Sequence, residues 1–365
     1  MNEILVGGKK VSNETPALIV AEVGINHDGV LEKAYQLIDM AADAGADVVK
    51  FQLFTAKRMY PRKAGLRKLA NGETKTIYDV IKDTEVPDWW IPLLIYKCQE
   101  RGVGFLCTTC DETSTDVLIK NNVDAFKIAS SELSDYPLLK YTAQTGKTML
   151  LSEGAATLAE IDRAISEIRS VGNNQIALLH CTKEYPGKLE DSNTNLIETY
   201  KRLYPDIIVG FSDHTMEPSI APVQAIKKGA KIIEKHITLD RKMPGADHCF
   251  ALEFDHLKKL VKDVRKAEED ISAIIENPII SGIGNKIVLE GEKVSRAFTH
   301  RALFAIKPIH KGDIFTKDNL DALRPGNCPA EIDAEFIELL VNNKVRSNCD
   351  IEEGEPIRWI DILSV

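Results

Sequence analysis

His214 and His236 each follow a short apolar run, in IIVGFSDHT (207–215) and KIIEKHITLD (231–240). Two neutral imidazoles delivered from neighbouring strand ends suit a borderline divalent ion with open coordination positions, and such a site does chemistry rather than scaffolding. Glu234 and Asp247 are the carboxylates placed to back those ligands by accepting hydrogen bonds from them or from bound water. His248 follows Asp247 in the loop GADH (245–248), and its role stays open. Lys50 and Lys127, with the hydroxyls of Thr108, Ser130, Ser152 and Ser212, offer a second chemistry: point charges plus short hydrogen bonds make a cage for phosphate. The same hydroxyls also suit helix caps, and a helix amino terminus is itself an anion site. Glu22, Glu132, Glu234 and Asp247 are more carboxylates than a phosphate needs, which implies sugar hydroxyls to orient or protons to move. His27, His180 and His256 read as core or loop residues.

These side chains need elements to hold them. Apolar runs at 17–23, 46–53, 104–108, 125–128, 148–151, 176–181, 207–211 and 231–236 alternate with amphipathic stretches such as 31–44, 158–171 and 256–275. That alternation predicts an α/β fold, a (β/α)8 TIM barrel, whose active site lies where the strands end. Nearly every run ends in polar residues, Gln52, Lys183 and Tyr185 among them, and this suits a highly polar substrate. Residues 1–16 predict a hairpin turning at Gly7-Gly8 and closing the barrel bottom. The stretch 55–87 is too long for a plain βα connection and is a candidate lid. The expected organisation is a barrel over 1–280, a linker over 281–299 and a small β-rich domain over 300–365. In that last domain 309–320 and 350–362 resemble each other, with turns at Gly312 and Gly354.

A chain of 365 residues with net charge -9 has no overall attraction for nucleic acid or a membrane surface, so any anion must be bound locally. No apolar run reaches the length of a membrane span. Seven cysteines without regular spacing predict reduced thiols and a cytoplasmic protein. Cys107 and Cys110, a lone CxxC, read as packing thiols.

The segments AEVGINHDG (21–29), VVKFQ (48–52), FKIASSEL (126–133), LLHCTKEYP (178–186), GFSDHT (210–215), EKHITLD (234–240) and GADH (245–248) resemble the successive barrel motifs of the N-acetylneuraminate (sialic acid) synthase family. HRALFAIKPIHKGDIFTKDNLDALRPG (300–326) resembles that family's C-terminal antifreeze-like (SAF) domain. The resemblance implies that phosphoenolpyruvate is held by Lys50, Thr108, Lys127, Ser130, Ser152 and Ser212. It implies Mn2+ or Mg2+ on His214 and His236, with Glu234 and Asp247 behind them, and Gln52, Glu132 and Tyr185 facing an amino sugar. Arg301 would enter the neighbouring subunit's barrel and meet the sugar's acyl-amino group, which makes the active unit a domain-swapped homodimer. Departures from the pattern are Cys107-Thr108-Thr109, Glu153, Ala246 and above all Lys183, which stands where an asparagine often contacts the sugar.

The implied reaction is metal-assisted condensation of phosphoenolpyruvate with open-chain N-acetylmannosamine, water addition, and C–O cleavage releasing phosphate. Glu22, Glu132, Asp247 and His236 are the expected catalytic groups. Other readings are a legionaminate or pseudaminate synthase acting on a diacetamido sugar, a Schiff-base aldolase using Lys50, Lys127 or Lys235, and a polysaccharide-binding protein.

Overall fold

The computed structural model describes residues 3–68 and 72–363. Strands β1 (Ile4–Val6) and β2 (Lys9–Val11) form an antiparallel hairpin. Its turn requires glycine: Gly7 has φ +57°, and a Cβ there would lie 3.0 Å from the Cα of Gly104. The chain then runs through β3 (Leu18–Gly24) and β4 (Val48–Leu53), a short hairpin of β5 (Leu66–Lys68) and β6 (Thr74–Thr76), and β7 (Gly104–Thr109). It continues with β8 (Ala125–Ile128), β9 (Thr148–Ser152), β10 (Ile176–Cys181), β11 (Ile208–Asp213) and β12 (Ile232–His236). Strands β3, β4 and β7 through β12 close into a parallel barrel, β12 pairing back onto β3. The eight runs read from the sequence are these eight strands.

Alternation along the strands sorts the side chains. Leu18, Val20, Val48, Leu106, Ala125, Leu150, Ala177, Leu179, Ile208 and Ile232 point inward and pack as one cluster, into which Ile4, Val6 and Val11 of the hairpin fit. The hairpin therefore plugs the bottom. Ile19, Val49, Phe51, Phe105, Cys107, Phe126, Leu151 and Ile233 point outward into the larger core beneath the helices. Two steps above the inner apolar layer come the inward positions Glu22, Lys50, Thr108, Lys127, Ser152, Cys181, Ser212 and Glu234, seven of them polar or charged. A packed bottom thus gives way to a polar mouth.

The 55–87 insertion lies over that mouth, apart from residues 69–71, which fall outside the described residues. It is held by the C-terminal domain, whose Arg324 and Asn327 backbone N–H groups donate to the Met59 and Ala64 carbonyls, each at 2.8 Å. In that domain β13 (Ala302–Ala305) pairs with β14 (Leu320–Leu323), and the two similar segments meet through the Ile309–Ile351 bridge. Gly312 and Gly354 sit at φ +92° and +82°, as their turns need.

Residues 281–299, which carry no apolar period, are not a plain linker: Glu290–Thr299 is a helix. It docks chiefly through charge, with Glu292 buried and Arg296 paired with Glu160, while Phe298 packs against Tyr60 and Val294 stays exposed. Among the described residues no helix is long and apolar enough to cross a membrane.

Candidate active site

The strand ends, the insertion, the Glu290–Thr299 helix and the C-terminal domain enclose one cavity of about 470 Å³. Glu22, Lys50, Gln52, Thr108, Lys127, Ser130, Ser152, Lys183, Tyr185, Ser212, His214, Glu234, His236 and Asp247 all line it. Two expected residues do not, Glu132 and Arg301.

On the barrel floor the lysines and carboxylates interlock. Lys50 Nζ lies 2.9 Å from Glu22 Oε2 and 3.5 Å from Glu234 Oε1. Glu234 Oε1 also accepts from Lys127 Nζ at 3.2 Å and Ser212 Oγ at 3.0 Å. Burial works against charge on all four groups, but Glu22 and Glu234 outweigh it at Lys50 and hold it up at about 12. Lys127 and Lys50 likewise outweigh burial at Glu234 and bring it to about 2. Lys127 itself is lowered by burial, and Glu22 is raised by burial. Glu234 therefore sits inside the lysine cage. The Ser152 hydroxyl and Glu234 Oε2 are buried with no hydrogen-bond partner, as expected where a polar ligand belongs.

The imidazoles of His214 and His236 lie 5.5 Å apart, centroid to centroid, with Phe250 packed against both. Burial lowers His214 to about 4 and, helped by its neighbour His214, takes His236 well below its usual range, so both rings are neutral. His214 Nδ1 donates to the Thr182 carbonyl at 2.8 Å, which leaves Nε2 with a free lone pair. Asp247 Oδ2 is 3.7 Å from His236 Nδ1. Among the described residues no group of three or more His, Cys, Asp or Glu is arranged to hold a metal. The donor set fits a divalent ion with two protein ligands, the remaining positions going to water and substrate.

Gly24 lies where these groups converge. At φ +56°, a Cβ here would be 3.3 Å from Glu22 Oε1, 3.4 Å from Asp247 Oδ2 and 3.4 Å from His236 Cε1. Burial and the Glu22 charge raise Asp247 to about 6. Gly24→Ala is expected to cut turnover about tenfold or more by displacing these three groups, at a folding cost of about 1–3 kcal/mol for the strained backbone. Steady-state kinetics beside thermal unfolding separate the two effects.

The C-terminal domain closes the cavity with an arginine the sequence reading did not single out. Arg324 lines the cavity, and its Nη2 donates to Glu132 Oε1 at 2.7 Å. Arg301 is fully engaged elsewhere, donating to Glu132 Oε1 at 3.2 Å and to the carbonyls of Arg58, Ala322 and Cys110. Within one chain Arg301 thus braces Glu132, and Glu132 braces Arg324, while the expected contact of Arg301 with a sugar in a neighbouring subunit's barrel stays an expectation. Glu132 is held below its usual pKa because the two arginines outweigh its burial. The one signal for Arg324 in the sequence is its place at the rigid turn Arg324-Pro325-Gly326, with Gly326 at φ +61°.

Lys183 is 5% exposed, and its ammonium donates to the Ser131 hydroxyl at 2.8 Å. Burial, and then the Arg324 charge, lowers it to about 7. His248 turns away from the cavity, bonded to Thr238 Oγ1 at 2.7 Å and Asp28 Oδ1 at 3.1 Å. Lys235 also points outward, its ammonium donating to Asp213 Oδ2 and to the carbonyls of Thr215 and Glu217 at 2.7–2.8 Å. Lys235→Met is therefore expected to cost about 3–5 kcal/mol of folding stability by stranding buried Asp213, a loss that denaturant unfolding would register. Cys107 and Cys110 are buried, and burial raises both thiols, so neither is a ready nucleophile.

Comparison with known proteins agrees with this architecture. The NeuB family model matches residues 37–276, and the SAF domain model matches residues 300–363. Spore coat polysaccharide biosynthesis protein SpsE of Bacillus subtilis is 44% identical over 362 residues, 98% of this chain and 96% of that protein. The crystal structure of the B. subtilis protein aligns with a TM-score of 0.87 at 41% identity, covering 100% of this chain and 99% of that one. N,N'-diacetyllegionaminic acid synthase of Campylobacter jejuni is 36% identical over 317 residues, 85% of this chain and 91% of that protein. The chain belongs to the NeuB family and carries its SAF domain at the C-terminal end.

Proposed function

We propose that the protein is a nonulosonic acid synthase of the cytoplasm, condensing phosphoenolpyruvate with an open-chain N-acylated amino sugar and releasing phosphate. The observation that carries this reading is one cavity with a lysine-and-hydroxyl cage on its floor, two neutral imidazoles beside it and an arginine above. Lys50, Lys127, Thr108, Ser130, Ser152 and Ser212 hold the phosphoenolpyruvate, whose anionic groups displace the carboxylates from the lysines. Gln52, Tyr185 and Arg324 orient the sugar. A Mn2+ or Mg2+ ion on His214 and His236 supplies Lewis-acid polarisation of the sugar's aldehyde when bound. The methylene carbon of phosphoenolpyruvate then bonds to the aldehyde carbon, and water adds at C2. Glu22 and Asp247, both raised in pKa and converging at Gly24, are the bases placed to take the water's proton. Collapse of the resulting intermediate breaks the C–O bond, and the lysines hold the departing phosphate.

A label in the bridging oxygen of phosphoenolpyruvate tests the route. C–O cleavage carries ¹⁸O into inorganic phosphate; label retained in the keto acid would mean P–O cleavage and refute the mechanism.

N-acetylmannosamine is the acceptor the barrel motifs imply. A diacetamido hexose is favoured by one observation, the name of the 36% identical Campylobacter relative. The Schiff-base reading is left with Lys127, which lines the cavity and is lowered by burial, since Lys50 is held protonated and Lys235 faces away; borohydride trapping with pyruvate tests it. The polysaccharide-binding reading leaves the lysine cage and paired imidazoles without a task. Dimerisation by exchange of C-terminal domains belongs to the same proposal and is open to a mixing test. Two impaired variants, one altered at Lys127 and one at Arg324, assayed at an amino-sugar concentration well below the raised KM, regain activity together only if the domains are shared between subunits.

A further inference from the structure

We propose that Glu292 is a positioning residue through which the helix joining the two domains sets the geometry of the cavity-lining loops after β9 and β10. Glu292 is 1% exposed, and its Oε1 accepts from the backbone N–H groups of Ala155 and Lys183, each at 2.8 Å. Its Oε2 accepts from Leu289 N–H at 3.0 Å, at the start of its own helix. One carboxylate thus joins the loops that follow β9 and β10. Both loops serve the cavity: Ser152 and Lys183 line it, and Gly154 N–H donates to the Ser130 hydroxyl at 3.0 Å.

The loop after β9 needs an external hold. Ala155 adopts φ +57°, the left-handed region that a residue with a Cβ rarely occupies, and such a conformation persists only when its surroundings fix it. Glu292 takes the Ala155 N–H, and Arg296, one turn further along, donates to the Ala155 carbonyl at 2.7 Å. The helix also comes close to the second loop, since a Cβ on Gly291 would lie 2.7 Å from Glu184 Oε2. Beyond Glu292 the same helix puts Ser295, Phe298 and Thr299 on the cavity wall, then leads into the domain that carries Arg324. Docking of the C-terminal domain and competence of the phosphate cage are therefore one event, coupled at a single carboxylate.

The inference rests on the synthase reading, so its test has one arm that does not use turnover. In Glu292→Ala the KM values for phosphoenolpyruvate and for the amino sugar should each rise about tenfold or more, since Ser152 lies beside one joined loop and Lys183 and Tyr185 on the other, while kcat stays within about threefold. Glu292→Gln keeps one oxygen for the two N–H groups and should recover most of that affinity. Hydrogen exchange should quicken at 153–156 and 182–185 in Glu292→Ala and stay unchanged through the rest of the barrel. An unchanged KM for phosphoenolpyruvate, or exchange that rises evenly over the chain, overturns the proposal. If the wild-type protein releases no phosphate with any amino sugar, the synthase reading fails and local exchange alone decides the role of Glu292. Should Glu292→Ala not fold, Glu292→Asp, which withdraws the carboxylate by one methylene, carries the same measurements.

Discussion

Lys127→Met is expected to lower kcat/KM for phosphoenolpyruvate by about three orders of magnitude. Two losses combine. The phosphate cage loses a point charge at 3% exposure, and Glu234 keeps only Ser212 and the more distant Lys50 as partners. Removing one member of a buried ion pair costs about 3–5 kcal/mol, which at about 1.4 kcal/mol per decade brackets the expected drop. Part of that cost falls on folding, so kinetics must be read beside an unfolding curve. Lys127→Arg should not restore the wild-type rate, because a planar guanidinium cannot take the place of a compact ammonium between Glu234 and a phosphate. Activity within tenfold of wild type in Lys127→Met would remove the lysine cage from the account.

Arg324→Ala carries the second large effect, and it separates two arginines that share one carboxylate. Arg324 lines the cavity and Arg301 does not, although both donate to Glu132 Oε1. Loss of Arg324 should raise the KM for the amino sugar about a hundredfold, in keeping with about 2–5 kcal/mol for truncating a buried, hydrogen-bonded charge, and leave the phosphoenolpyruvate KM within a few fold. Arg301→Ala should instead lower folding stability by about 3–5 kcal/mol, since it leaves buried Glu132 to Arg324 alone and unpairs the Arg58, Ala322 and Cys110 carbonyls. The reverse pattern, a sugar defect from Arg301 and mere instability from Arg324, would assign the sugar contact to Arg301, as the motifs imply.

The barrel was legible because its physics is local. Inner strands of a parallel barrel are apolar runs, their alternation is fixed by the pleat, and the polar residues that end them have no packing reason to be there. Lys50, Lys127, His214 and His236 followed directly from that pattern. What lay beyond it depends on packing between distant segments. Which arginine meets the cavity is decided by how the C-terminal domain rests on Met59 and Ala64, and no spacing in 300–326 records that contact. The Glu290–Thr299 helix lacks an apolar stripe because it docks through Glu292 and Arg296, so hydrophobic periodicity could not reveal it. His248 sits next to Asp247 in sequence, yet a one-residue step in the loop turns it towards Asp28. Glu234 stands two residues before His236 on β12, and its contacts with Lys50 and Lys127 come from strands distant in sequence, which no local spacing records.

The synthase assignment is tested most directly by phosphate release from phosphoenolpyruvate with a panel of amino sugars: N-acetylmannosamine, its 6-phosphate and a diacetamido hexose. Each is assayed with added Mn2+, with Mg2+ and with EDTA. The account predicts release that requires both one of these sugars and the metal, and that stops with EDTA. Release at the same rate without any sugar, or no release with any of them when metal is present, would contradict it.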